Sequence, residues 1–290
     1  MMPGTSLIDL ISKRNQTPIS GCHDALSAII AQRAGFPLLW ASSLGLSAVQ
    51  GRRDAGELSW SEVVALSSNI TNVTNIPLLV DGDNGHGDFN IARLFATQLR
   101  KVGVAGISIE DQAFPKCNSL IEAGQKLENQ TVFCGKIAAM KDALGKDFIV
   151  VARVEALVVG KGLACALDRA YAYTETGADA IIIHSKSADA ADILQFVQQW
   201  DRPHPIILIP TTYYASLLHN LPGLQVGGIV WANHLLRAQV SALQAMASAL
   251  LNARYPETTT PLASIEEVFA LVGLDRLPAE ERIYGGKREI

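Results

Sequence analysis

A chain of 290 residues that is 49% apolar and 18% charged carries enough hydrophobic material for a substantial core, which excludes an intrinsically disordered protein. Its formal net charge of −4 and its lack of a Lys/Arg cluster exclude a general nucleic-acid or polyanion surface, because phosphate-backbone binding needs such clusters. No apolar run reaches the about 18 residues of a membrane span, and the start "MMPGTSLIDLISKRNQ" lacks the hydrophobic stretch and cleavage site of a secretory signal.

Short apolar runs predict strands near residues 17–20, 38–41, 77–81, 106–110, 148–153, 180–184, 206–210 and 228–231. Helical patterns fill most intervals, including 24–34, 61–73, 90–102, 161–176 and 234–252. Four segments, "AGFPLLWASS", "VGVAGISIED", "TGADAIIIHS" and "VGGIVWANH", repeat one pattern: a helix-like stretch ends at Gly and an apolar run follows. Eight strands alternating with helices fit a single (β/α)₈ TIM-type barrel over residues 1–290 better than a doubly wound sheet. Residues 112–130 are too long and polar for a minimal connection and read as a lid. After about residue 253 a proline-rich link leads to an amphipathic C-terminal helix, which packs either on another subunit or on its own barrel.

Polar residues gather where the strands end: Trp40 and Ser42, Asp81 and Asp83, Glu110, Arg153 and Glu155, His184, Thr211, Asn233. In such barrels these ends converge on the active site. Asp81, Asp83 and Glu110 offer hard oxygens suited to Mg²⁺, which keeps several waters and uses few direct carboxylates; the alternative is an acidic turn with capping aspartates. His86, alone in a Gly-rich turn, reads as structural or solvent-facing. Arg153 can grip carboxylate or phosphoryl oxygens with two donors, or else pair with Glu155 or another barrel carboxylate. His184 can stabilise an anionic group or shuttle a proton, or be a hydrogen-bonded structural residue. Asp54 either completes the site or pairs with Arg52 or Arg53. There is no nucleophile elbow, Walker loop or dinucleotide fingerprint. Cys22, Cys117, Cys134 and Cys165 follow neither zinc-ribbon nor disulfide-scaffold spacing, which points to the reducing cytoplasm.

Taken in order, "LLWASS", "GRRDAGELSW", "LLVDGDNGHGDFN", "IEDQAFPKCNSL", "VVARVEAL", "IIIHSK", "LIPTTYY" and "IVWANHLLRA" resemble the phosphoenolpyruvate mutase branch of the phosphoenolpyruvate mutase/isocitrate lyase superfamily, over roughly residues 17 to 245. The resemblance implies a Mg²⁺-dependent barrel, a tetramer built as a dimer of dimers, and a terminal helix exchanged between paired subunits. It implies Asp81 as the direct metal ligand, with Asp83 and Glu110 acting through water. Trp40, Ser42 and the Ser43 backbone would hold a pyruvyl group. Arg153 and His184 would bind a phosphoryl group, helped by Asn118 and Ser119 on lid closure, with Lys116 and Asp54 completing the closed site.

The implied reaction interconverts phosphoenolpyruvate and phosphonopyruvate for phosphonate biosynthesis. Phosphonopyruvate hydrolysis, a carbon–carbon lyase reaction and a non-catalytic barrel are the alternatives. The mutase loop resembles Glu-Asp-Lys, five residues, then Asn-Ser; Asn118 and Ser119 match it, while Gln112 stands in place of the Lys. The hydrolase branch commonly carries Thr at position 118. The lyase branch shares Glu-Asp-Gln and continues Lys-Arg-Cys-Gly-His, which sets Cys117 one position early for its thiol. Cys117 therefore reads as a loop substituent rather than a catalytic acid.

Overall fold

The computed structural model describes residues 6–119, 121, 124–220, 222–252 and 262–285; Leu120 and the proline-rich link at 253–261 lie outside the described residues. Two compact units are present, Met1–Leu235 and Leu236–Ile290. In the first, eight parallel strands close into a barrel in sequence order. They are β1 (Thr17–Cys22), β2 (Leu38–Ala41), β3 (Leu78–Asp81), β4 (Gly106–Glu110), β5 (Ile149–Val154), β6 (Ala180–Ile183), β7 (Ile206–Leu208) and β8 (Gly228–Trp231). The (β/α)₈ expectation is met. β7 stops before Pro210, which has no N–H to give the ladder, and Thr211 N bonds Ile209 O at 2.9 Å in a turn instead.

The helices are α1 (Leu7–Ser12), α2 (Ala25–Arg33), α3 (Ser43–Val49), α4 (Trp60–Thr71), α5 (Phe89–Lys101), α6 (Gln130–Leu144), α7 (Gly162–Thr176), α8 (Ala191–Gln199) and the single turn α9 (Tyr214–Leu217). α10 (His234–Asn252) begins at the end of the first unit and runs into the second, which also holds α11 (Ile265–Val272) and α12 (Leu277–Tyr284). Starts follow cap chemistry: Ser59 accepts from Glu62 N while the Glu62 side chain accepts from Ser59 N, a reciprocal box that opens α4. Asn129 opens α6 by accepting from Thr131 and Val132 N–H.

Alternation along the strands divides the core in two. Leu39, Ala41, Val80, Val150 and Ala152 face outward against the helices. Leu38, Trp40, Leu79, Val151 and Ile182 fill the barrel, and Leu7 and Ile11 of α1 join this inner set. Each fully buried Leu, Ile or Val among them contributes about 1.5–3 kcal/mol. The inner layer is the apolar floor on which the polar groups stand.

Candidate active site

Period-two alternation also aims the chemistry. Asp81 lies two residues beyond inward-facing Leu79, Arg153 two beyond Val151, and His184 two beyond Ile182. Each shares its predecessor's face but sits at the strand end, above the apolar fill. The ladder pairs Glu110 with Arg153, and their side chains make a 3.3 Å ion pair. With Trp40 and Ser42 these residues line a cavity of about 70 Å³. Ser42 caps α3, its Oγ accepting from Gly45 N at 3.3 Å.

The turn after β3 is held by its backbone. Asp83 adopts a left-handed φ of 51°, a conformation Asp tolerates better than most residues. Its carbonyl accepts from Glu110 N at 2.7 Å, and Lys136 Nζ donates to Asn84 O at 2.9 Å. A Cβ on Gly82 would come within 2.6 Å of the Ile107 side chain, so a larger residue there would force Ile107 to move. His86 packs edge-on against Phe95 at a 5.0 Å centroid distance and does not line the cavity.

The lid is tied at its base. Gln112 and Leu127 form an antiparallel bridge, Ala113 N donates to Lys126 O, and Glu128 N donates to Asp111 O, the last two at 2.8 Å. Beneath it Asp111 is fully buried, accepting from Tyr173 OH at 2.7 Å and Arg169 at 2.9 Å. Above, Lys116 Nζ donates to Asp54 Oδ1 at 2.5 Å, to Ser43 Oγ at 2.9 Å and to Asp83 Oδ1. Asn118 Nδ2 donates to Asp54 Oδ2 at 2.6 Å. Ser119 Oγ donates to Glu155 Oε2 at 3.0 Å and accepts from Arg153 Nη2 at 3.1 Å.

The lid thus lies over the cavity, which Lys116, Asn118 and Ser119 help to line and Cys117 does not. Gln112 clasps the Cys117 main chain: its Nε2 donates to the carbonyl at 2.7 Å and its Oε1 accepts from the N–H. Asp54 does not pair with Arg52 or Arg53, which pair with Glu62 at 2.7 Å and with Glu57, but with Lys116 at the cavity edge. Arg153 pairs with Glu155 and Glu110, as one of its two readings has it, and also lines the cavity.

Glu155 is the site residue that sequence reasoning underrated. It lies two residues past Arg153, so strand parity alone points it inward. Gln125, on the returning leg of the lid, also reaches Glu155, at 3.0 Å; nothing in the irregular stretch around it announced that contact.

Five carboxyl groups, of Asp54, Asp81, Asp83, Glu110 and Glu155, surround two cations, Lys116 and Arg153. Burial pushes Asp54 up, but Lys116 and its other donors outweigh it and hold the carboxyl below the usual range. Burial pushes Asp81 up to about 6 and Glu110 well above its usual value, against the pull of Lys116 and Arg153. Burial, then Arg153, lowers His184, which favours a neutral ring.

Among the described residues no three metal-ligating side chains form a ready cage. Glu110 Oε1 is nevertheless buried without a hydrogen-bond partner, and the acidic donors are all hard oxygens. That set fits Mg²⁺ held by few direct carboxylates and completed by water.

The phosphoenolpyruvate phosphomutase family model matches residues 7–251. A phosphoenolpyruvate phosphomutase of Streptomyces hygroscopicus is 41% identical over 269 residues, covering 92% of this chain and 86% of the relative. The solved phosphoenolpyruvate phosphomutase of Streptomyces platensis subsp. rosaceus superposes with a TM-score of 0.90 at 35% identity, over 96% of this chain and 99% of that one. A phosphonopyruvate hydrolase, solved in complex with oxalate and Mg²⁺, gives 0.89 at 34% identity, over 98% and 99%. With the ordered strand-end residues and most of its length matched, the chain belongs to the phosphoenolpyruvate phosphomutase family.

Proposed function

We propose that this protein is a Mg²⁺-dependent phosphoenolpyruvate phosphomutase that interconverts phosphoenolpyruvate and phosphonopyruvate, at the entry to phosphonate biosynthesis. The observation that carries this reading is Asn118, held over the cavity by its 2.6 Å bond to Asp54. A mutase must hold a phosphoryl group under a closed lid while it changes partners, since water would otherwise take it.

In the direction of phosphoenolpyruvate, the carbon–phosphorus bond breaks and a bond from phosphorus to the enolate oxygen forms. Arg153 and Asn118 donate to the phosphoryl oxygens, and neutral His184 stays beside them. Ser42, Ser43 and Trp40 orient the pyruvyl end so that its oxygen turns toward phosphorus as its carbon turns away. Such a loose transfer needs positioning and charge stabilisation more than a protein nucleophile. Asp81, with Asp83 and Glu110 through water, would hold Mg²⁺, which when bound supplies electrophilic stabilisation of enolate charge. Lys116, fixed by Asp54 and Asp83, closes the site against solvent.

The lyase reading loses support because Cys117 lies outside the cavity lining. Apolar side chains exposed on α11, among them Ile265, Phe269 and Val272, support a homo-oligomer, proposed as a dimer-of-dimers tetramer. The described free cysteines support a cytoplasmic setting, and no described helix is long and apolar enough to cross a membrane.

Phosphorus NMR of phosphonopyruvate with enzyme and Mg²⁺ tests the function. The phosphoenolpyruvate signal should grow with Mg²⁺ and stop on chelation. Stoichiometric phosphate without phosphoenolpyruvate would make the protein a hydrolase.

A further inference from the structure

We infer that Glu155 is a positioning residue that couples closure of the lid to the aim of Arg153 and His184, one carboxylate oxygen serving each task. The phosphoryl-binding role of that pair rests on the function proposed above; the coupling itself is geometric. Glu155 is fully buried, and its backbone is fixed by a 2.7 Å bond from its N–H to Asp111 Oδ1. Oε1 faces the barrel, 2.5 Å from Arg153 Nε and 2.9 Å from His184 Nδ1. Oε2 faces the lid, accepting from Ser119 Oγ and Gln125 Nε2, each at 3.0 Å.

The two lid donors come from opposite legs of the loop. Opening would strip both from Oε2 at once, exchanging two fixed donors for mobile water, and would remove Ser119 from Arg153 Nη2. Arg153 would then keep only its barrel-side restraints. Burial pushes the Glu155 carboxyl up, yet Arg153 and His184 outweigh it and hold it well below the usual range, so both oxygens remain acceptors at neutral pH. Water exclusion and orientation of the guanidinium are thereby one event, and a phosphoryl group meets a fully aimed Arg153 only under a shut lid.

Three variants test this: Glu155→Gln, which keeps shape and volume, Gln125→Ala, which touches only the lid arm, and the double variant. Amide hydrogen exchange of peptides covering residues 112–128 reads lid opening without turnover, and loss of phosphonopyruvate reads rate whatever the product. Lid exchange should rise by about tenfold in either single variant at little change in melting temperature, the size expected for losing one hydrogen bond to a charged acceptor. Turnover should fall roughly tenfold to a hundredfold in Glu155→Gln, chiefly in kcat. Gln125→Ala should slow the parent but add nothing to Glu155→Gln.

Lid exchange at the parental rate in Gln125→Ala overturns the coupling even if Glu155→Gln fails to fold. Rate losses that simply multiply in the double variant overturn it as well. Parent protein that leaves phosphonopyruvate untouched overturns the proposed function instead, while the exchange result still decides the coupling.

Discussion

Replacing Asn118 with Thr should raise the share of phosphonopyruvate that ends as pyruvate and phosphate. Asp54 is the anchor: its Oδ1 is taken by Lys116 at 2.5 Å and Ser43 at 3.0 Å, and Asn118 Nδ2 reaches Oδ2 at 2.6 Å. The Thr hydroxyl sits on Cβ, one atom nearer the main chain, and its branched Cβ restricts χ1, so it cannot span that gap without moving the loop. A hydrogen bond to a charged acceptor contributes about 1.5–3 kcal/mol. At about 1.4 kcal/mol per factor of ten, the loss shifts the partition between transfer and water capture by roughly tenfold to a hundredfold. The assay is a phosphorus NMR time course in which phosphonopyruvate, phosphoenolpyruvate and phosphate are integrated together. A product ratio equal to the parent's, at any overall rate, would refute lid control by Asn118.

Gln112→Ala removes both bonds to the Cys117 main chain; at about 1 kcal/mol each, kcat/KM should fall roughly thirtyfold, and Gln112→Asn, one methylene short, should not restore it. Full activity in the Ala variant would show that the clasp is idle. His184 makes stability depend on pH: its folded pKa is lowered by burial and Arg153, so the unfolded chain binds more protons in acid. The contribution is complete above the ordinary value of about 6.5 and is lost as pH falls below it, at up to about 1.4 kcal/mol per pH unit. Urea titrations should therefore show a shallower slope in His184→Asn over that window, and an identical slope would contradict a neutral buried ring. If the proposed homo-oligomer uses α11, Phe269→Asp should lower the mass measured by light scattering, whereas an unchanged mass would refute that use of α11.

The barrel was legible because each strand is a short apolar run that a polar residue interrupts at its end: Asp81 after "LLV", Arg153 after "IVVA", His184 after "III". Position and chemistry come from the same local pattern, so reading one yields the other. α3 went unnamed because Ser43–Val49 is too short to show a helical period and reads as a Ser/Gly loop until Ser42 is seen capping it. The bonds under the lid were illegible for a different reason. Lys116 meets Asp54 across 62 positions, and Ser119 and Gln125 meet Glu155 across 36 and 30. No periodicity links residues of an irregular loop to a strand end; only closure of the chain does. Gln112 looked like a departure from the mutase motif and proved to be a brace of the lid's own backbone.

The ties at the base of the lid, where Gln112 meets Leu127 and Glu128 N–H meets Asp111 O, make it a cassette with fixed terminals. Substitutions between those terminals act on the contacts to Asp54, Asp83, Arg153 and Glu155, while the strand ladder lies outside them. Asp81, Glu110, Arg153 and His184 stand at strand ends, while Lys116, Asn118 and Ser119 travel together on the insert. On the function proposed above, exchange of this one insert would change which donors face the reacting group, with the strand-end residues left in the sequence as they are.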